Sequence, residues 1–175
     1  MLNKKHLFML LGSVLLTAVI SIGVSAEENN ISEEKRQVIA TNCQTAQVTL
    51  QQIEYNDAAA RVNRGQGYET ILNKYMTPLN VRVTGSQNHA ATAATLTDIT
   101  ARYQQTLKNF KKNYENYDDN ITKATHFSCS KKPDNFYDLL NTTRQEREKL
   151  NEDIAALDQL AAEYITAVSK FKDNL

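Results

Sequence analysis

THFSCSKKPDNF, residues 125–136, decides how this chain is read. It sets Cys129 four residues ahead of Pro133, between two long segments whose apolar residues recur at helical spacing. Pro133 suits a first helical turn, where its missing N–H is no loss, and Asp134 sits well at the positive end of the helix dipole. The stretch therefore reads as a turn followed by a helix start. Upstream of it Leu96, Ile99, Tyr103, Leu107, Phe110, Tyr114, Tyr117 and Ile121 recur in steps of three and four, one face of one helix. Downstream run Phe136 and Leu140, a polar stretch, then Leu150, Ile154, Leu157, Leu160, Tyr164, Val168 and Phe171.

An earlier arm carries Ile39, Cys43, Ala46, Leu50 and Ile53, lapses, and resumes at Tyr68, Ile71, Leu72, Tyr75 and Leu79. Helices are predicted over about 32–83, 87–124 and 133–172. Each must cover its apolar face against the others, so the expected fold is all-α: an elongated antiparallel three-helix bundle or coiled coil. After residue 26 only three glycines and two prolines remain, too few to punctuate a sheet protein. Three details stay open. Arg64-Gly65-Gln66-Gly67 reads as a break, and Pro78 as a kink or an end. Leu79, Val81 and Val83 also alternate as a short strand would. Thr95-Leu96-Thr97-Asp98 resembles a capping box that would start the second helix near 95, while the alanines at 90–94 favour the earlier start.

The first 26 residues stand apart. Lys4 and Lys5 precede an apolar run, Leu7–Val24, and the small residues Val24-Ser25-Ala26 lead into Glu27-Glu28. This is the pattern of a secretory signal peptide cut after Ala26, leaving residues 27–175 as a single domain. The rival is an uncleaved membrane anchor over residues 7–24, at the short end of what spans a bilayer. Removing Lys4 and Lys5 from the 20 basic residues leaves 18 against 20 acidic ones, a net charge of −2. So balanced a chain, with its charges interspersed, has no electrostatic footprint for nucleic acid.

The turn cysteine now acquires a purpose. In an antiparallel hairpin, residues equidistant from the reversal lie opposite each other, because both arms rise equally per residue. Cys43 and Cys129 are equidistant from Ser86, beside Gly85, where the first two helices are expected to part. In an exported protein two cysteines within reach of each other oxidise, so a Cys43–Cys129 disulfide is predicted.

Chemistry is harder to find. His89 and His126 fall near opposite ends of the second helix, and no H-E-x-x-H, C-x-x-C, P-loop or G-x-S-x-G occurs. No metal, cofactor or catalytic residue is expected, and the chain is read as a non-enzyme. The tyrosines at helical spacing read as core and rim. The polar lapses are the exception. Asp57, Arg61, Arg64 and Tyr68 share one face at steps of four, three and four, and Arg144 and Arg147 interrupt the third helix. Reflection about residues 129 and 86 brings the two lapses to similar height. They form either intrahelical ion pairs such as Asp57–Arg61 along a solvated seam, or a polar layer that fixes register and opens a binding notch.

With its leader, the run RVNRGQGYETILNKYMTPLNVRV at 61–83 and FYDLL at 136–140, the chain resembles exported helical proteins of candidate-phylum bacteria such as the Saccharibacteria. That resemblance implies bacterial export and carries no activity or site. The long-helix periplasmic chaperones of the Skp type are a looser comparison, since they have a basic surface and a strand-built body that this composition lacks. The expected role is to bind another protein through a helical face, in the envelope or outside the cell. A small-ligand site at the polar layer and a membrane-tethered spacer are the alternatives.

Overall fold

The computed structural model describes residues 31–85 and 89–172. The expected signal peptide, residues 1–26, and Ser86 lie outside the described residues. The described chain is an all-helical bundle: α1 (Glu33–Thr41), α2 (Cys43–Thr70), a π-helical segment (Ile71–Met76), α3 (Thr77–Thr84), α4 (Ala90–Thr125) and α5 (Pro133–Lys172).

The expected single helix over 32–83 is thus divided, and not where glycine suggested. Ser32 caps α1, its Oγ accepting from the Lys35 N–H at 3.4 Å, with Glu33 and Glu34 in the first turn. Asn42 interrupts the arm, and both its backbone N–H and its side-chain amide donate to the Val38 carbonyl. α2 then runs unbroken through Gly65 and Gly67. Gly65 lies against the Phe110 ring, so the packing of α2 on α4 holds the helix where propensity alone would loosen it. Pro78 neither ends nor breaks the arm. Its ring would collide with the Lys74 carbonyl, to which it also cannot donate. The turn ahead of it widens instead, and the Thr77 N–H bonds the Leu72 carbonyl five residues back. Leu79, Val81 and Val83 are helical, so the strand alternative is overturned. α4 starts at Ala90, three residues after the expected 87, and Thr95 lies inside it with its hydroxyl donating to the Ala91 carbonyl. The resemblance to a capping box is therefore accidental.

The apolar faces meet as the spacing demands. All eight stripe residues of α4 are buried, among them Leu96, Tyr103 and Ile121, and they pack against Tyr68, Leu72, Met76 and Val83 of the first arm and Leu150, Leu157, Leu160 and Tyr164 of α5. Residue numbers fall along one arm as they rise along its neighbour. Glu54 meets Thr122, Asp57 meets Tyr117, Glu69 meets Lys111 and Asn80 meets Thr100. The first arm and α4 therefore run antiparallel.

Cys43 and Cys129 form the disulfide, with Cα atoms 5.5 Å apart. Around it Ala124, Phe136, Ile39, Leu50 and Leu140 make a second apolar cluster. One expectation fails here. Asn113 pairs with Asp153, and these two are equidistant from residue 133, not 129. The first turns of α5 therefore project beyond the end of α4. They do not stand alone: α1 packs on them, and Arg36 Nε reaches both carboxylate oxygens of Asp134 at 3.0 and 2.9 Å. From residue 33 on, the segment ahead of the disulfide is thus a helix with its own contacts.

Candidate functional site

Polar rungs cross the apolar core, each built on a tyrosine. In the first, Tyr117 of α4 donates to Asp57 Oδ2 at 2.5 Å, and Arg147 of α5 donates to Asp57 Oδ1 at 3.1 Å. In the second, the Tyr103 hydroxyl donates to the Tyr68 carbonyl at 3.2 Å, while the Tyr68 hydroxyl donates to Asp158 of α5. In the third, the Tyr164 hydroxyl lies 3.0 Å from the Met76 carbonyl and 2.8 Å from Asn80 Oδ1, and the Asn80 amide donates to Thr100. Each rung joins the first arm to α4 and α5, and satisfying buried hydroxyls this way avoids a cost of about 1–3 kcal/mol apiece.

These surroundings shift the phenols. Burial, seconded by the Asp158 carboxylate, pushes Tyr68 up to about 12. Burial and the neighbouring Asp118 push Tyr114 up to about 12, against the opposing pull of Arg61. Burial and the hydrogen bond to Asp57 likewise raise Tyr117. In every case the neutral phenol is favoured, because its charged form would be desolvated or set beside a carboxylate.

The first rung floors a small cleft of about 210 Å³, lined by Asp57, Arg61, Arg64, Tyr114, Arg147 and Asn151 among others. The Arg61 guanidinium lies over the Tyr114 ring, 4.1 Å from its centroid. Four of the six residues singled out in the sequence therefore converge. Two do not. Tyr68 is buried in the core against Phe110, and Arg144 turns to Asn141 beside the neighbouring groove. The expected Asp57–Arg61 pair is replaced by the contact with Arg147, since Asp57 sits at an inward position of α2. Tyr114, Tyr117 and Asn80 were missed as polar participants. Their signal was positional: Asn80 follows Leu72 and Met76 at steps of four, on the inward face.

A second concavity, about 570 Å³, opens where the π-helical segment and α3 face the C-terminal part of α5. Its walls include Tyr75, Pro78, Leu79, Ile165 and Val168, with Lys74 and Arg82 as its charged residues and no acid. Tyr75 and Ile165, both in its walls, are each 65% exposed. Among the described residues no His, Cys, Asp and Glu group of three or more is placed to hold a metal ion, and no helix is long and apolar enough to cross a membrane. An all-helical bundle tied by one disulfide is the class this arrangement defines. No family model, curated protein or solved structure matches the chain.

Proposed function

We propose that the chain is an exported, non-enzymatic helical protein of the cell envelope or extracellular space, an elongated three-arm bundle that binds another protein. Export is supported by the leader pattern of residues 1–26 and by the compatibility of a structural disulfide with an oxidising compartment. It agrees with the resemblance to exported helical proteins of candidate-phylum bacteria.

The observation that carries the binding reading is the groove beside Pro78. An exposed apolar trough between two helices, with basic residues and no acidic ones in its walls, is shaped for an amphipathic helix whose flanks carry carboxylates. The occupant is such a helix on a different protein. The Pro78-induced widening contributes directly, because it displaces the backbone on the turn that presents Tyr75.

Site-specific photo-crosslinkers at positions 75 and 165, in the cells that make the protein, test this. One and the same protein should be captured from both positions, and not from position 104 on the exposed side of α4. Lys74→Glu combined with Arg82→Glu should abolish that adduct. No adduct, identical adducts from every position, or an adduct indifferent to the charge reversal would overturn the reading. Intact mass of the exported protein, with and without reductant and alkylation, tests the address. The expected species begins at Glu27 and carries no free thiol. Retention of residues 1–26 would replace secretion with membrane tethering.

A further inference from the structure

The cleft over the first polar rung has a charge imbalance that the fold does not use. Asp57 is committed to Tyr117 and Arg147. Arg61 and Arg64 face the same opening, and among the described residues neither is hydrogen-bonded to a carboxylate. Within the lining of this cleft of about 210 Å³, three guanidinium groups face one carboxylate, a formal excess of two positive charges, with Asp118 close by on the Tyr114 hydroxyl. Arg61 is stacked on the Tyr114 ring, which fixes the plane of its guanidinium and leaves its N–H edge for a ligand. Holding that plane before binding lowers the ordering cost of a charged contact. Beside the polar rung the lining is apolar, with Phe110, Leu150 and Ile154.

We infer that this cleft, formed by Arg61, Arg64 and Arg147 around Tyr114, binds a small phosphate monoester. A phosphate monoester carries about −1.5 to −2 charge near neutral pH and three acceptor oxygens, which matches the formal excess of positive charge in the lining. A carboxylate, at −1, would neutralise only half of it. Guanidinium forks pair with phosphate oxygens two at a time, so Arg61 and Arg64 each supply a directional contact. The volume lies below the usual range of about 300–1,000 Å³ for drug-sized ligands, so the organic part is one ring or a short chain resting on Phe110 and Ile154. The site is separate from the groove beside Pro78, and either can fail without the other.

Phenyl phosphate is the probe. The disulfide-bonded protein is titrated at constant ionic strength, following the ring resonances of Tyr114, with benzoate as the monoanionic comparison. Saturable shifts are expected, with phenyl phosphate binding roughly tenfold or more tightly than benzoate, and Arg64→Gln and Arg61→Gln each weakening it by about tenfold, the scale of one charge-assisted hydrogen bond. Arg82→Gln, remote from the cleft, should leave it unchanged. Arg64 is exposed, so its substitution leaves the fold intact and keeps the test decisive even if Arg61→Gln unfolds. A phosphotyrosine peptide in parallel separates two sources of the same chemistry. Tighter binding of the peptide assigns the cleft to a phosphorylated partner segment, and equal or weaker binding to a free ester. Absence of saturation at millimolar phenyl phosphate, equal affinity for benzoate, or unchanged affinity in Arg64→Gln would overturn the inference.

Discussion

α4 and α2 are helices of the same chain with opposite economies. In α4 the apolar positions recur without a gap and are buried along the whole stripe, because α4 lies against both the first arm and α5. In α2 only Tyr68 is buried, and Val48, Tyr55 and Val62, spaced by seven, face outward at 61%, 74% and 49% exposure. What α2 lacks in apolar burial it replaces with discrete ties. These are the disulfide at its first residue, Gln47 to the Phe127 carbonyl, Glu54 to Thr122, Asp57 to Tyr117 and Arg147, and Glu69 to Lys111. The lesson is that a helix with one good neighbour is held by named contacts, whereas one with two is held by its stripe.

The sharpest way to break that contrast is at the disulfide. Replacing both Cys43 and Cys129 by serine should cost about 4 kcal/mol, the scale for closing a loop of this length, read from urea unfolding. A loss under about 1 kcal/mol would mean that α2 is held by packing after all. Next comes truncation within the stripe: Leu96→Ala, at a fully buried position, should destabilise by about 3 kcal/mol, and half-buried Leu50→Ala on α2 by clearly less. Equal losses would erase the distinction. Asp57→Ala should cost about 2 kcal/mol, since it leaves the buried Tyr117 hydroxyl without its acceptor and Arg147 without its counter-charge. At the small end, Val48→Lys and Tyr55→Lys should change stability by no more than about 0.5 kcal/mol, because nothing in the described structure covers them.

Alkaline titration sharpens the same comparison from another side. Tyr68 and Tyr114 have folded pKa values raised to about 12, above the ordinary phenol near 10. A raised value means the folded state holds the proton more tightly than the unfolded chain. The stabilisation is therefore complete below about pH 10 and disappears as pH climbs toward 12. Phenolate absorbance should show a late group, Tyr68 and Tyr114 among them, that ionises together with unfolding. A single early transition for all the tyrosines would show that the rungs are open to solvent.

Much of this was legible beforehand, and the reasons differ by region. The α4 stripe, the turn at 126–132 and the cysteine pairing follow from spacing and rise per residue, which act locally and add up without ambiguity. The Pro78 segment was not legible, because a widened turn leaves the same residue pattern as a straight helix and arises only where neighbours hold both sides. The meeting of Asp57 with Arg147 was half visible. Both lapses fall at inward positions, but reflection about Cys129 placed Arg147 near 111, whereas its neighbour is Tyr117. The offset comes from α5 projecting past α4, which α1 makes possible by covering it. Choosing between an ion pair along one helix and one between helices needs that offset.

The disulfide ties only one extremity of the assembly; at the other the chain itself joins the first arm to α4, and the end of α5 is held by contacts alone. There α5 meets the first arm by contacts that heat or pull can undo one after another, the Tyr164–Asn80 rung before the Asp57 rung. Amide protection along α5 should accordingly climb from Val168 toward Leu140, and under load the groove near Pro78 would open while the sulfur-bound end stays shut.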